Sequence, residues 1–173
     1  TFISDVSEES DDVISEYNLQ TPAKLNIGAS VFIGTSGFIT ADVEMINYPG
    51  AKYSSDISGI TFNSDNETIN ELYQPTVNYR IGGEYRYNNF RFRAGYAYMP
   101  DPFKSEQNGI SRKMNSFSTG VGYRNKKFYS DLAVVFTQGK NSYRPYTINS
   151  VDSPLVTLTN QATLGVLTMG FSF

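Results

Sequence analysis

Nine ionisable side chains sit inside stretches of alternating polarity: Lys24, Asp42, Glu44, Arg80, Glu84, Arg86, Arg91, Arg93 and Asp131. In each stretch they take the register opposite the aliphatic and aromatic residues. Alternate side chains of a strand share one face, so all nine are expected on the same surface. Both signs are present, which suits ion pairing. Arg80, Arg86, Arg91 and Arg93 have Asp42, Glu44, Glu84 and Asp131 as candidate partners. Such a network braces the surface it covers; around an enclosed passage it would also line or gate that passage. Bracing is the simpler role. Catalysis has no comparable support. Histidine and cysteine are absent, which removes the commonest general base, the thiolate nucleophile and the thiolate metal site. No nucleophile–base pair can be named, and no carboxylate pair stands apart from the charged set. An enzyme, a metal and a cofactor are therefore not expected. A net charge of −3 argues against a nucleic-acid partner.

The elements carrying these residues read as strands. Leu25, Ile27, Ala29, Val31 and Ile33 alternate with Lys24, Asn26, Gly28, Ser30 and Phe32. After a tight turn at Gly34-Thr35-Ser36-Gly37, Ile39, Ala41, Val43 and Met45 alternate with Thr40, Asp42 and Glu44. A third strand over 76–87 sets Val77, Tyr79, Ile81 and Tyr85 against Asn78, Arg80, Glu84 and Arg86. It turns at Asn88-Asn89, residues that tolerate left-handed backbone. The fourth places Phe90, Phe92, Ala94, Tyr96 and Tyr98 against Arg91 and Arg93. The fifth places Phe117, Thr119, Val121 and Tyr123 against Ser116, Ser118, Gly120 and Gly122. The sixth opposes Phe128, Ser130, Leu132, Val134 and Phe136 to Tyr129, Asp131, Ala133 and Val135. The seventh runs from Gln161 to Phe173, with Leu167, Met169, Phe171 and Phe173 on one face.

Connections between these strands alternate in length. Those near 35, 88 and 125 are tight; those at 49–75, 99–113 and 138–159 are long. All seven prolines lie in or beside the connections on the long side, where no ladder needs their missing N–H. Within 51–74, Ser64 could cap a short, lid-like helix running to Tyr73, with Glu67 as its capping-box partner; simple loop packing is the plainer reading. Residues 1–20 carry six acidic side chains and no basic one. They read as a solvated loop, or more sharply as a loop that collects divalent cations near lipopolysaccharide.

The expected fold is all-β: a transmembrane antiparallel up-and-down β-barrel wall over 21–173, preceded by an acidic extracellular loop over 1–20. No run of 18 apolar residues marks a membrane helix. Alternating strands cross a bilayer instead, and thirteen Tyr and twelve Phe supply aromatic girdles. A charge facing lipid at mid-depth costs ~2–4 kcal/mol, which the one-face placement of the nine charges avoids. Long connections belong outside and tight turns in the periplasm. The apolar alternation through Phe171 to Phe173 resembles the signal by which bacterial barrels are recognised for insertion. Expected partners are outer-membrane lipids, lipopolysaccharide and the barrel-assembly machinery. Seven strands is an odd number, whereas bacterial barrels close on an even one. With no signal peptide visible, the sequence is expected to be mature or to begin part-way along a longer chain.

Several runs carry a more specific resemblance. Thr21-Pro22-Ala23-Lys24-Leu25-Asn26-Ile27-Gly28 followed by Gly37-Phe38-Ile39-Thr40-Ala41-Asp42-Val43-Glu44 resembles the FadL family of outer-membrane transport proteins, in its Bacteroidetes branch. Tyr79-Arg80-Ile81-Gly82-Gly83-Glu84-Tyr85-Arg86, Phe92-Arg93-Ala94-Gly95-Tyr96-Ala97-Tyr98 and Gly120-Val121-Gly122-Tyr123-Arg124 are similar to it as well. The resemblance implies a fourteen-stranded barrel of which these would be strands eight to fourteen. It implies passive uptake of hydrophobic compounds such as long-chain fatty acids across the bacterial outer membrane. The alternative is a barrel of the same fold acting as a scaffold or carrier in protein secretion and surface attachment. The family's N-terminal hatch and lateral opening have no counterpart here, so no ligand-binding residue follows from the resemblance.

Overall fold

The computed structural model of the chain describes residues 16–146 and 153–171. The strands are β1 (Asn18–Gln20), β2 (Ala23–Ile33), β3 (Gly37–Asn47), β4 (Lys52–Ser54), β5 (Pro75–Tyr87), β6 (Phe90–Met99), β7 (Met114–Arg124), β8 (Phe128–Tyr143) and β9 (Val156–Phe171). Among the described residues one α-helix, α1 (Asn63–Leu72), lies between β4 and β5, and a short 3-10 helix spans Tyr48–Gly50. Seven strands form a single antiparallel sheet in the order β2-β3-β5-β6-β7-β8-β9, and β1 pairs with β4 in a separate ribbon. The meander follows the seven alternating stretches of the sequence. The tight turns are set by local chemistry: Gly34 at φ 52° and Asn88 at φ 52° both hold left-handed backbone. At Gly37 a Cβ would lie 1.9 Å from the carbonyl oxygen of Glu84, so only glycine lets β3 pass this close to β5.

The sheet is open, with β2 and β9 at its edges. Six successive antiparallel steps leave those two edges running in the same direction.

No conventional core accompanies this sheet. Among the described residues only Ile46 and Ile110 are buried hydrophobics. Leu25, Ile27, Ile81 and Leu132 each keep about half of their surface, and Leu167 keeps 61%. All of them lie on one face, so the sheet presents a broad apolar surface that no layer of the described residues covers. Soluble domains bury such a face against a second layer. Aromatic residues bracket it. Tyr87, Phe90 and Tyr123 stand in one cross-strand row at the tight-turn end. Tyr96, Phe117 and Phe136 form a row toward the long connections, and Tyr79 and Tyr98 pair one row further on. At a rise of ~3.3 Å per residue, Tyr79 and Tyr87 are ~26 Å apart along β5 before any tilt, which is of the order of the ~25 Å apolar band between girdles in outer-membrane barrels.

Four expectations from the sequence need correction or fall outside the described residues. The last hairpin is longer than expected: β8 and β9 pair from Phe128↔Phe171 to Tyr143↔Val156, leaving 144–155 between them instead of 138–159. Residues Asn18–Gln20 are not loop but half of the β1–β4 ribbon. Residues 1–15, with five of the six acidic side chains of the expected loop, lie outside the described residues. So does Phe173, while Phe171 is described and packs on Phe128 with ring centroids 5.3 Å apart. Finally, α1 starts at Asn63 with Phe62 as its N-cap, and no side chain caps it. Ser64 lies inside the first turn. Phe62 is held there by the Tyr53 and Tyr17 rings, at 5.8 and 6.4 Å. The Asn66 amide meanwhile clamps both backbone groups of Tyr53 in β4. Tertiary packing, not the capping box, sets where this helix begins.

Candidate functional site

The register brings all nine ionisable residues onto one face. Asp42 stands opposite Arg80 and Glu44 opposite Asn78 across β3–β5; Glu84 stands opposite Arg93 and Arg86 opposite Arg91 across β5–β6. Two clusters result. In the first, Arg80 donates from Nη1 to Asp42 Oδ1 at 2.8 Å and lies 3.6 Å from Glu44 Oε2. Asn78 Nδ2 donates to Glu44 Oε1 at 2.8 Å. In the second, Glu84 accepts from Arg86 Nε at 2.6 Å and from Arg93 Nε at 2.7 Å. Arg93 Nη1 reaches on to Asp131 Oδ1. The Glu84 side chain is 5% exposed while its two arginines keep 38% and 39%. Glu84 is thus a nearly buried hub under two half-buried guanidinium groups. The expected pairing of arginines with carboxylates is present for Arg80, Arg86 and Arg93. Arg91 and Lys24 make no ion pair among the described residues.

Small residues shape the surface between the clusters. Gly82, Gly95, Ser118, Gly120 and Ala133 leave a groove of about 530 Å³ on the polar face. At Gly122 a Cβ would meet the Asp131 carboxylate that Arg93 holds, so a side chain there would push that carboxylate aside. At Gly170 the position of a Cβ is taken by the Tyr129 ring.

The face is not polar throughout. On β8 and β9 it turns apolar: Val135 stands opposite Leu164 and Ala133 opposite Val166. Ala162, Leu158 and Val156 continue the same register toward the tip of the long hairpin. Leu164 is 60% exposed, and Leu158 and Val166 are each more than two-fifths exposed. An apolar strip therefore runs along one flank of a surface whose middle strands carry charge, hydroxyls and glycine, while Phe32 and Phe38 stand on the same face at the opposite edge. The sequence signal was present in Val156-Thr157-Leu158-Thr159, an alternating β-branched run that a loop over 138–159 ignores.

The long connections pack on one another at the far end of the sheet. Tyr48 stacks on Tyr73 at 6.2 Å, Tyr73 on Phe103 at 4.6 Å, and the Arg112 guanidinium lies 4.7 Å from the Phe103 ring. Asp101 fixes this stack by accepting the backbone N–H groups of Phe103 and Arg112. The Gln74 amide donates to the carbonyls of Asp101 and Phe103. Burial raises the Tyr48 phenol above its ordinary pKa, with Glu44 and Tyr73 adding to the shift. The ring stacking was not legible from the sequence, because Tyr48, Tyr73 and Phe103 lie 25 or more residues apart from one another.

Taken together, these side chains can pair, brace and present an apolar flank; no nucleophile–base pair occurs among the described residues, and none of their acidic residues gather into a metal-binding group. No protein-family model matches the chain, and no curated protein matches it.

Proposed function

We propose that this sheet is part of the wall of a bacterial outer-membrane β-barrel of the FadL type, which passes hydrophobic compounds such as long-chain fatty acids inward without an energy source. The apolar face meets lipid and the polar face meets the lumen. Tight turns lie in the periplasm and the Tyr48–Tyr73–Phe103 stack lies outside. The parity of the sheet fits this role. Because β2 and β9 run in the same direction, joining them directly would require a parallel pair. Closure with only antiparallel pairs takes an odd number of further strands, as seven in a fourteen-stranded barrel would provide.

The observation that carries the transport reading is the exposed strip Leu158, Ala162, Leu164 and Val166 with Val135 beside it. A lumen serving only ions or sugars has no use for solvent-facing leucines. A greasy solute gains ~25 cal/mol for each Å² of apolar surface it covers on such a strip. Leu164→Glu places a charge in the middle of the path. Uptake of a fluorescent long-chain fatty acid by cells carrying this variant should fall about tenfold, since an acyl chain cannot desolvate a carboxylate. The amount of folded barrel should stay unchanged, because Leu164 already faces water in the lumen. Uptake equal to that of the parent protein would remove the strip from the route and favour the scaffold role in protein secretion.

A further inference from the structure

The charges on the polar face do not balance at its tight-turn end. Among the described residues, four arginines stand there on adjacent strands, Arg86, Arg91, Arg93 and Arg124, against two carboxylates, Glu84 and Asp131. Four minus two leaves a local excess of two positive charges. Both carboxylates are committed: Glu84 holds Arg86 and Arg93, and Arg93 also spans to Asp131. Arg124 lies over the Tyr129 ring at 5.0 Å, a contact that leaves its charge uncompensated.

Arg91 is the odd member. It makes no hydrogen bond, ion pair or ring contact with any described residue, although it is only partly exposed. It stands directly opposite Arg86 on β5 and opposite Gly122 on β7. Directly opposed residues have Cα atoms ~4.5–5.5 Å apart, and like charges in that position are destabilising. Asp131, one strand beyond Gly122, is engaged by Arg93 through Oδ1 and makes no ion pair with Arg91. A bound anion would relieve the repulsion. Guanidinium forks on neighbouring strands suit an oxyanion that accepts several parallel N–H bonds. An excess of two positive charges matches a dianion better than a single carboxylate.

We propose that Arg91, with Arg86 opposite and Arg124 beside it, forms a seat for a phosphate dianion at the tight-turn end of the polar face. The ligand class is inorganic phosphate or a phosphate monoester. The seat does not depend on the fatty-acid role, since it lies on different strands from the β8–β9 strip.

The test is calorimetric titration of the folded protein in zwitterionic micelles at low salt and mildly alkaline pH, with inorganic phosphate, dodecyl phosphate and acetate as probes. The parent protein should bind inorganic phosphate saturably at one site and bind acetate more weakly. Arg91→Gln should weaken phosphate roughly tenfold or more, as expected for losing charge-assisted hydrogen bonds. Arg91→Lys should keep part of the affinity, having the charge without the fork. Lys127→Gln, an equal change of net charge in the β7–β8 turn, should leave binding intact. Arg91→Gln should fold as well as the parent or better, because it removes the charge facing Arg86. Tighter binding of dodecyl phosphate than of inorganic phosphate would assign the seat to a lipid-borne phosphate, and equal binding to a free one. The proposal is overturned if the parent shows no saturable phosphate binding, if acetate binds as well as phosphate, or if Arg91→Gln and Lys127→Gln weaken binding alike.

Discussion

Glu84→Gln should be the most damaging single change on the polar face, lowering the stability of the folded protein by about 2–4 kcal/mol. Glu84 is nearly buried and accepts the Nε–H of both Arg86 and Arg93. The amide keeps the shape but loses the charge, leaving Arg86 with no counterion and Arg93 with Asp131 alone. Removing one partner of a fully buried pair costs more than this; here both arginines remain about 40% exposed, and water screens part of the loss. Arg80→Gln is the matched comparison. Arg80 is 42% exposed and its loss leaves two carboxylates, one of which Asn78 still serves. Its cost should stay below about 1 kcal/mol. Urea unfolding followed by far-ultraviolet circular dichroism reads both. A Glu84→Gln midpoint within error of the parent would mean that the hub does not hold the sheet.

The second large effect is on the opposite face. Val121 and Leu132 stand directly opposite each other in the belt between the aromatic rows, with Leu167 next in line. If this face meets lipid as proposed, an arginine at either position stands one row inside the tight-turn aromatic row, short of mid-depth, and incurs part of the ~2–4 kcal/mol that a mid-depth charge costs. Val121→Arg and Leu132→Arg should therefore cut the yield of folded, heat-modifiable protein in outer-membrane fractions severely. Ala133→Ser, one residue away on the polar face, should be mild. Gly120→Ser would not serve as a second control, because a Cβ there would lie 3.0 Å from the Leu132 carbonyl oxygen. Equal damage from Leu132→Arg and Ala133→Ser would mean a sheet buried on both faces, as in a soluble sandwich.

Alternation made most of the sheet legible. A strand with period two reveals its two faces without knowledge of its neighbours, so the common face of Asp42, Arg80, Glu84, Arg93 and Asp131 followed directly from the sequence. Which charges pair did not, because pairing depends on cross-strand register. Glu84 looked like one carboxylate among four until β6 placed Arg93 opposite it. The limits of β8 and β9 were misjudged because Lys140-Asn141-Ser142 has loop-like composition; pairing with Val156–Asn160 overrides it. The apolar flank was hidden by the same assumption. Val135, Leu164 and Val166 occupy the register assigned to polar residues elsewhere, and only their adjacency across β8–β9 reveals a strip. The start of α1 was missed because an aromatic cluster distant in sequence replaces its side-chain cap.

The most direct test of a transmembrane wall is a single-cysteine scan of β8 from Asp131 to Phe136, made possible by the absence of native cysteine. Each variant carries a nitroxide label, and the protein is reconstituted in phospholipid vesicles. Collision with oxygen, which partitions into lipid, is compared with collision with a water-soluble nickel chelate. A wall with lipid on one side and a watery lumen on the other gives a period of two: labels at 132, 134 and 136 favour oxygen, and labels at 131, 133 and 135 favour the chelate. Labels that all favour the chelate, or that avoid both probes on both faces, would contradict a membrane-spanning sheet.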